Sequence, residues 1–259
     1  MPKTALVTGA GSGIGRGLAL ALAKRGYQLL LVGRDQSRLE ATAHEIGVFS
    51  SASIFCADLA DPSSRSDLIE RVLAQNGAPS LLVNNAASMP CGDFLWRSSL
   101  EIETAFATNL AAPAELTQRF CSAAMPTEGL IFILSTAARF PQPYNSLYSA
   151  SKAGLRSLAE ALQVEFDGRV RVCLAYPPLT RTALTEPFGA SSWPVHKADA
   201  LQVAEQIISA YETGRNEISW FDWEVLPSFF YRFAPGLFRR LLKNQGRKLR
   251  EIFNRDQTR

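Results

Sequence analysis

Short, continuously apolar runs separated by amphipathic stretches set the rhythm of this chain. The runs fall near residues 3–8, 27–32, 53–57, 80–84, 129–134 and 170–175. One of them, Leu130-Ile131-Phe132-Ile133-Leu134, has no polar alternation at all. A strand of that kind needs cover on both faces, which is the situation in a parallel sheet flanked by helices. Between the runs, apolar positions recur at helical spacing over 14–25, 36–46, 63–76, 101–124, 146–167 and 198–213. Strands alternating with helices predict an α/β fold on a doubly wound parallel sheet. No internal repeat or low-complexity tract interrupts the pattern.

The 259 residues, 47% of them hydrophobic, suffice for one large domain with a substantial buried sheet. Residues 1–223 are read as that domain, with 183–197 as a substrate lid, and 224–259 as an extension. Cys56, Cys91, Cys121 and Cys173 are far apart, without metal-ligand spacing or a disulfide framework, as in a reducing cytoplasm. His44 and His196 are expected on the surface, outside any site. The amino terminus enters a strand within three residues, and no apolar run reaches the ~18 residues of a membrane span, so a soluble cytoplasmic protein is expected.

Overall charge is +3, but this hides an asymmetry. Residues 224–259 hold nine Lys/Arg against three Asp/Glu, a net of +6, and the preceding residues carry −3. Aromatic residues such as Phe229, Phe230, Tyr231, Phe233 and Phe238 precede or interleave with these cations. That composition suits a basic helical tail in peripheral contact with a membrane, and equally a helix packed on a neighbouring subunit or over the active site. No readout motif accompanies the charge, so nucleic acid is not an expected partner.

Two local patterns carry chemistry. The strand Lys3-Thr4-Ala5-Leu6-Val7-Thr8 runs into Gly9-Ala10-Gly11-Ser12-Gly13-Ile14-Gly15 and then a helix rich in Leu and Ala. Gly9 allows a tight turn, Gly13 lets backbone approach a pyrophosphate, and Gly15 lets the helix lie close to the strand, with helix-terminal N–H groups facing the anion. Further on, Tyr148 and Lys152 are four apart on a predicted helix, so a phenol and an ammonium share one face. An ammonium at ~4 Å favours the phenolate and lowers the phenol pKa from about 10.

Taken together, Thr8-Gly9-x-x-x-Gly13-x-Gly15, Asn84-Asn85-Ala86, Ser135 and Tyr148-x-x-x-Lys152 resemble the short-chain dehydrogenase/reductase family in its compact, single-domain branch, over roughly residues 3 to 218. The resemblance implies a Rossmann fold and a homodimer or homotetramer. It also implies NADP(H) as cofactor, with NAD(H) less favoured, and hydride transfer to or from the carbonyl or alcohol of a small, moderately hydrophobic molecule. Tyr148 is then the proton donor, Ser135 positions the substrate oxygen, Lys152 lowers the phenol pKa and grips the nicotinamide ribose, and Asn109 kinks its helix and holds a water near the lysine. No metal is required.

Cofactor contacts are implied for Gly9, Gly11, Ser12, Gly13, Ile14, Gly15, Asp58, Leu59, Asn85, Ala86, Tyr148, Lys152, Pro177 and Thr182. The second strand ends Val32-Gly33-Arg34, where an NAD-selecting acid would stand at Gly33, and Arg34 suits a 2′-phosphate instead. Asp35 complicates this, because turned towards the ribose it would serve NAD. Ala87 and Pro178 stand where the family has glycine. The substrate pocket is expected to draw on Phe94, Trp96, Phe140, Tyr144, Leu179, Phe188 and Trp193. A nucleotide-bound scaffold or sensor that keeps the fold without turnover is the alternative reading.

Overall fold

The computed structural model describes residues 3–123, 127–185 and 198–220, together with 231, 233, 234, 236–240, 242–244, 246 and 247. Among the described residues between 3 and 220, seven strands and seven α-helices follow one another along the chain. They are β1 (Thr4–Thr8), α1 (Gly13–Ala23), β2 (Gln28–Gly33), α2 (Gln36–Ile46), β3 (Ala52–Cys56), α3 (Pro62–Asn76) and β4 (Leu81–Asn84), then α4 (Ser99–Phe106), α5 (Ala112–Cys121), β5 (Gly129–Ile133), α6 (Ser146–Glu165), β6 (Arg171–Tyr176), α7 (Ala200–Glu212) and β7 (Glu217–Ser219). Every pairing is parallel, and the strand order is β3-β2-β1-β4-β5-β6-β7. The order reverses between β1 and β4, and ligands bind such sheets at the carboxyl ends of the strands beside that reversal.

Alternation along the strands splits the core into two layers. Ala5, Val7, Leu29 and Leu31 face one way and pack with Leu18, Leu22, Leu39 and Ile207 of α1, α2 and α7. Leu6, Leu30, Val32 and Leu130 face the other way and meet Leu68, Leu116, Phe120 and Leu155 of α3, α5 and α6. This is why the strands read as unbroken apolar runs. Where α1 meets α7 the helices are so close that a Cβ on Gly17 would lie 2.8 Å from the Ala204 Cβ.

Helix starts follow their side chains. Asp35 accepts from the Arg38 amide to open α2, Asp61 accepts from the Ser63 and Ser64 amides ahead of Pro62 in α3, and Ser98 with Glu101 closes a capping box on α4.

Two expectations need correction. Residues 101–124 do not form one regular helix: α4 gives way to a π turn over Ala107–Ala111 before α5 begins, and the Ala112 amide bonds the Ala107 carbonyl five residues back. The seventh strand, β7, was missed because it is three residues long at the sheet edge and buries only Ile218. Of the extension, the described residues 236–240 and 242–244 are helical. Phe238, 1% exposed, meets the Phe140 ring edge-on at 5.7 Å, and a Cβ on Gly246 would lie 3.6 Å from Pro143. This helix therefore packs against the segment 140–143. Most of the expected lid, residues 186–197, lies outside the described residues, as do Phe188, Trp193 and His196.

Candidate active site

A cleft opens at the carboxyl ends of β1 and β4. It has a cavity of about 420 Å³ and an adjoining recess of about 340 Å³, which share Gly9, Ser12, Arg34, Ala86 and Ala87 in their walls.

Backbone geometry builds the recess end. Gly9 (φ 68°) and Gly13 (φ 52°) adopt left-handed conformations that side chains resist. At Gly15 an added Cβ would come within 2.1 Å of the Gly9 carbonyl oxygen, so only glycine lets α1 start this close to the turn. Ser12 caps α1 with its backbone, and its hydroxyl makes no capping bond. The first amides of α1 therefore face the cleft beside a free hydroxyl, a ready anion site.

Thr8, which opens the glycine motif but was given no role in the sequence reading, locks this turn to the next strand. Its hydroxyl accepts from the amides of Asn85 (2.9 Å) and Ala86 (3.0 Å) and donates to the Val83 carbonyl (3.2 Å). The Asn85 side-chain amide donates back to the Thr8 carbonyl at 2.8 Å. A buried threonine at the end of an apolar strand, just before a glycine turn, was the available signal.

At the far wall, Arg34 is exposed, and among the described residues no ion pair involves it. Asp35 also lines the recess, but its carboxylate is already engaged by its own helix start. Its carboxylate accepts from the Arg38 amide and the Ser37 hydroxyl and pairs with the Arg38 guanidinium at 3.1 Å, contacts that hold its pKa below the usual carboxylate range. Arg38 is a second cation on this wall that the sequence reading passed over. Asp58 and Leu59 line the same recess with Gly11. The helix cap belongs to Asp61, while Asp58 accepts from the Ala60 amide at 2.9 Å.

The main cavity gathers Ile14, Asn85, Ser135, Tyr148, Lys152, Pro177 and Thr182. Ser135 lies two residues beyond β5 and caps the following turn by accepting from the Ala137 amide (3.2 Å). Its hydroxyl is close enough to the Tyr148 phenol to lower the phenol pKa. Lys152, one turn along α6, is 1% exposed and donates from Nζ to the Ile133 carbonyl at 2.7 Å, with Nζ 5.8 Å from the Tyr148 ring centre.

The expected acidification of the phenol is not met. Burial pushes Tyr148 up to about 12, the nearby Ser135 hydroxyl offsetting only part of this, and burial brings Lys152 down to about 8. Each group loses its hydration, so each disfavours its charged form, and the ammonium is turned onto a backbone carbonyl.

Asn109 does not line the cavity; it is wholly buried behind it, in the π turn. Its Oδ1 accepts from the Ser88 amide (2.7 Å), and its Nδ2 donates to the Ser88 carbonyl (2.8 Å) and the Ser151 hydroxyl (2.9 Å). Ser151 in turn donates to the Tyr148 carbonyl. Asn109 thus ties the loop after β4 to the helix that carries the tyrosine.

Of the aromatic residues expected in the pocket, Phe94 and Trp96 project into solvent and Phe140 packs on Phe238, whereas Leu179 does line the cavity. Met89, Gln142, Asn145 and Leu184 complete the wall, all from irregular segments or short turns whose facing no periodicity reveals. Ala87 keeps a negative φ, so its methyl group brings no left-handed strain. Thr182 abuts Gly13, where an added Cβ would lie 2.8 Å from its Cγ2, so the loop after β6 closes onto the glycine turn. Among the described residues no cluster of His, Cys, Asp or Glu could hold a metal ion.

A doubly wound sheet with a glycine turn at its reversal point and a serine, tyrosine and lysine converging beside it defines a dinucleotide-type oxidoreductase site. The short chain dehydrogenase family profile matches residues 3–192, and the chain belongs to that family as one of its oxidoreductases. It is 29% identical over 213 residues, 80% of this chain and 88% of the relative, to an NADPH-dependent pterin aldehyde reductase of Arabidopsis thaliana. A short-chain dehydrogenase from Sphingobium yanoikuyae in complex with NADPH superposes with a TM-score of 0.76 at 25% identity, covering 90% of this chain and 96% of that one. A 3-oxoacyl-[acyl-carrier protein] reductase from Brucella melitensis in complex with NAD does so with a TM-score of 0.74 at 27% identity, covering 84% and 95%.

Proposed function

We propose that this chain is an NADP(H)-dependent oxidoreductase that moves hydride between nicotinamide and the carbonyl or secondary alcohol of a moderately hydrophobic small molecule. The observation that carries the reading is the convergence of Ser135, Tyr148 and Lys152 in the wall of one cavity, beside the glycine turn.

The residues present fit a dinucleotide. Gly9, Gly13 and Gly15 leave backbone room that a Cβ would fill, and the unused Ser12 hydroxyl stands among helix-terminal amides. Gly11, Ser12, Gly13, Ile14 and Gly15 would hold the pyrophosphate, and Asp58 and Leu59 the adenine. Asn85, Ala86, Pro177 and Thr182 would hold the nicotinamide half with Tyr148 and Lys152. Arg34 without an ion pair, Arg38 beside it and Asp35 already engaged favour the extra phosphate of NADP over a bare ribose. When bound, the dinucleotide supplies or accepts the hydride.

The chain's own groups manage the proton. Ser135 orients the substrate oxygen, and Tyr148, protonated at neutral pH with a pKa of about 12, is in the form that donates to it during reduction. Lys152 keeps two N–H donors beyond its bond to Ile133, suited to a ribose hydroxyl. Asn109 fixes the backbone around Tyr148 through Ser151.

Family membership supports a homodimer or homotetramer in the cytoplasm, and the basic, aromatic extension supports peripheral attachment to a membrane. The test is NADPH consumption against a carbonyl panel. Tyr148→Phe is expected to lower kcat by about 10²–10⁴ with cofactor affinity little changed; equal rates in parent and variant would remove the mechanism.

A further inference from the structure

Two exposed apolar elements contact the segment 140–145, which itself contributes Gln142 and Asn145 to the cavity wall. The first is the turn Phe94–Trp96, where Leu95 is 85% and Trp96 70% exposed. Its base is fixed to the segment by the Gly92 amide, which donates to the Tyr144 carbonyl at 2.8 Å. The second is the carboxyl-terminal helix, held down by Phe238 on Phe140 and by Gly246 beside Pro143.

On that helix the inward face is marked by Phe238, and Leu242 and Gly246 follow it at helical spacing as half-buried positions. The outer face is amphipathic in its own right. Leu237 is 53% exposed, and Arg239, Arg240, Lys243 and Arg247 are all exposed around it. No acidic residue stands among the described positions 236–247. An exposed leucine next to four cations, on a helix anchored by its opposite face, matches an acyl–headgroup boundary of negative charge. The apolar turn adds an exposed tryptophan, a side chain suited to that boundary.

We propose that the protein docks on an anionic lipid bilayer at its cavity end, with the Phe94–Trp96 turn and the basic helix as the two points of contact, so that an apolar substrate enters from the lipid. Tail attachment alone leaves the orientation free, whereas two separate contacts, both tied to the segment that forms part of the cavity wall, fix it. The substrate route rests on the oxidoreductase reading above; the docking does not.

The experiment is co-sedimentation of the full chain with neutral phosphatidylcholine vesicles and with vesicles containing phosphatidylserine, together with turnover of a water-soluble ketone. Binding is expected on the anionic vesicles only. Arg240→Glu/Lys243→Glu and, separately, Leu95→Asp/Trp96→Asp are each expected to weaken it by about tenfold or more, since each charge near such a surface counts appreciably. Both variants change exposed side chains and should turn over the soluble ketone at the parent rate. Vesicle binding unaffected by Leu95→Asp/Trp96→Asp would overturn docking at the cavity end, and equal binding to neutral vesicles would overturn the role of charge. A smaller particle in sedimentation velocity for Leu95→Asp/Trp96→Asp would assign the turn to contact between copies and overturn the proposal. Loss of turnover in the parent, with vesicle binding intact, would strike the oxidoreductase reading alone.

Discussion

Thr8→Val tests the least visible part of the site. Valine keeps the shape of threonine but removes the hydroxyl that accepts from the Asn85 and Ala86 amides and donates to the Val83 carbonyl. Two backbone N–H groups lose their partner, each at a cost of about 1–3 kcal/mol when buried. Asn85 and Ala86 are only half-buried, so water relieves part of this, and a net loss of roughly 2–4 kcal/mol is expected. For a domain of this size that corresponds to a fall in Tm of about 4–16 °C. Urea unfolding gives the stability directly, and titration with NADPH shows whether the glycine turn has shifted, since Asn85 and the turn are bound together through the same residue. Thr8→Ser keeps the hydroxyl and should retain most of both. A Thr8→Val protein within about 0.5 kcal/mol of the parent, binding NADPH equally well, would refute the claim that this hydroxyl holds the cleft together.

Arg34→Ala is expected to weaken NADPH by about tenfold or more and to leave NADH nearly unchanged, as for the loss of a charge-assisted phosphate contact; matching losses for the two cofactors would refute the assignment. Lys152 has its pKa lowered from 10.5 to about 8, so above pH 8 the folded protein binds fewer protons than the unfolded chain. Folding stability should therefore gain from this group as pH rises from about 8 to 10.5, and in urea melts Lys152→Met should lose that increment. Over the same range kcat/KM for NADPH should decline as the ammonium is lost, and a flat profile to pH 10 would contradict a role for its charge. Asn109→Ala strands the Ser88 amide and carbonyl and the Ser151 hydroxyl, and should cost about 2–4 kcal/mol in urea unfolding while lowering kcat.

Much of this was legible in the chain because strand and helix periodicities differ so clearly. Runs such as Leu130–Leu134 could only be interior strands, and the Gly9–Gly15 spacing declared a strand–turn–helix unit whose close contacts the structure confirms at Gly15. The failures are equally physical. Aromatic residues were assigned to the pocket by type, but type does not fix facing: Trp96 points into solvent while Asn145 and Gln142 form the wall. Sequence spacing put Tyr148 and Lys152 on one helical face, yet it could not report that both would be stripped of water, which reversed the expected direction for the phenol. Asn109 was expected, by resemblance, to kink its helix; its grip on Ser88 and Ser151 depends on segments distant in sequence.

The π turn around Asn109 has a consequence for the length of the chain itself. A π turn holds one residue more than the α-helical path between the same two ends, so the stretch Ala107–Ala111 behaves as an insertion folded into a rod. Removing a single alanine there would yield a smoother and locally better-bonded helix. The two halves of the rod would keep their facing, because the π turn is what absorbs the extra residue, but the widened turn that presents Asn109 to Ser88 and Ser151 would be gone. A deletion scan through these five positions should thus produce proteins whose local helix improves while the whole enzyme fails.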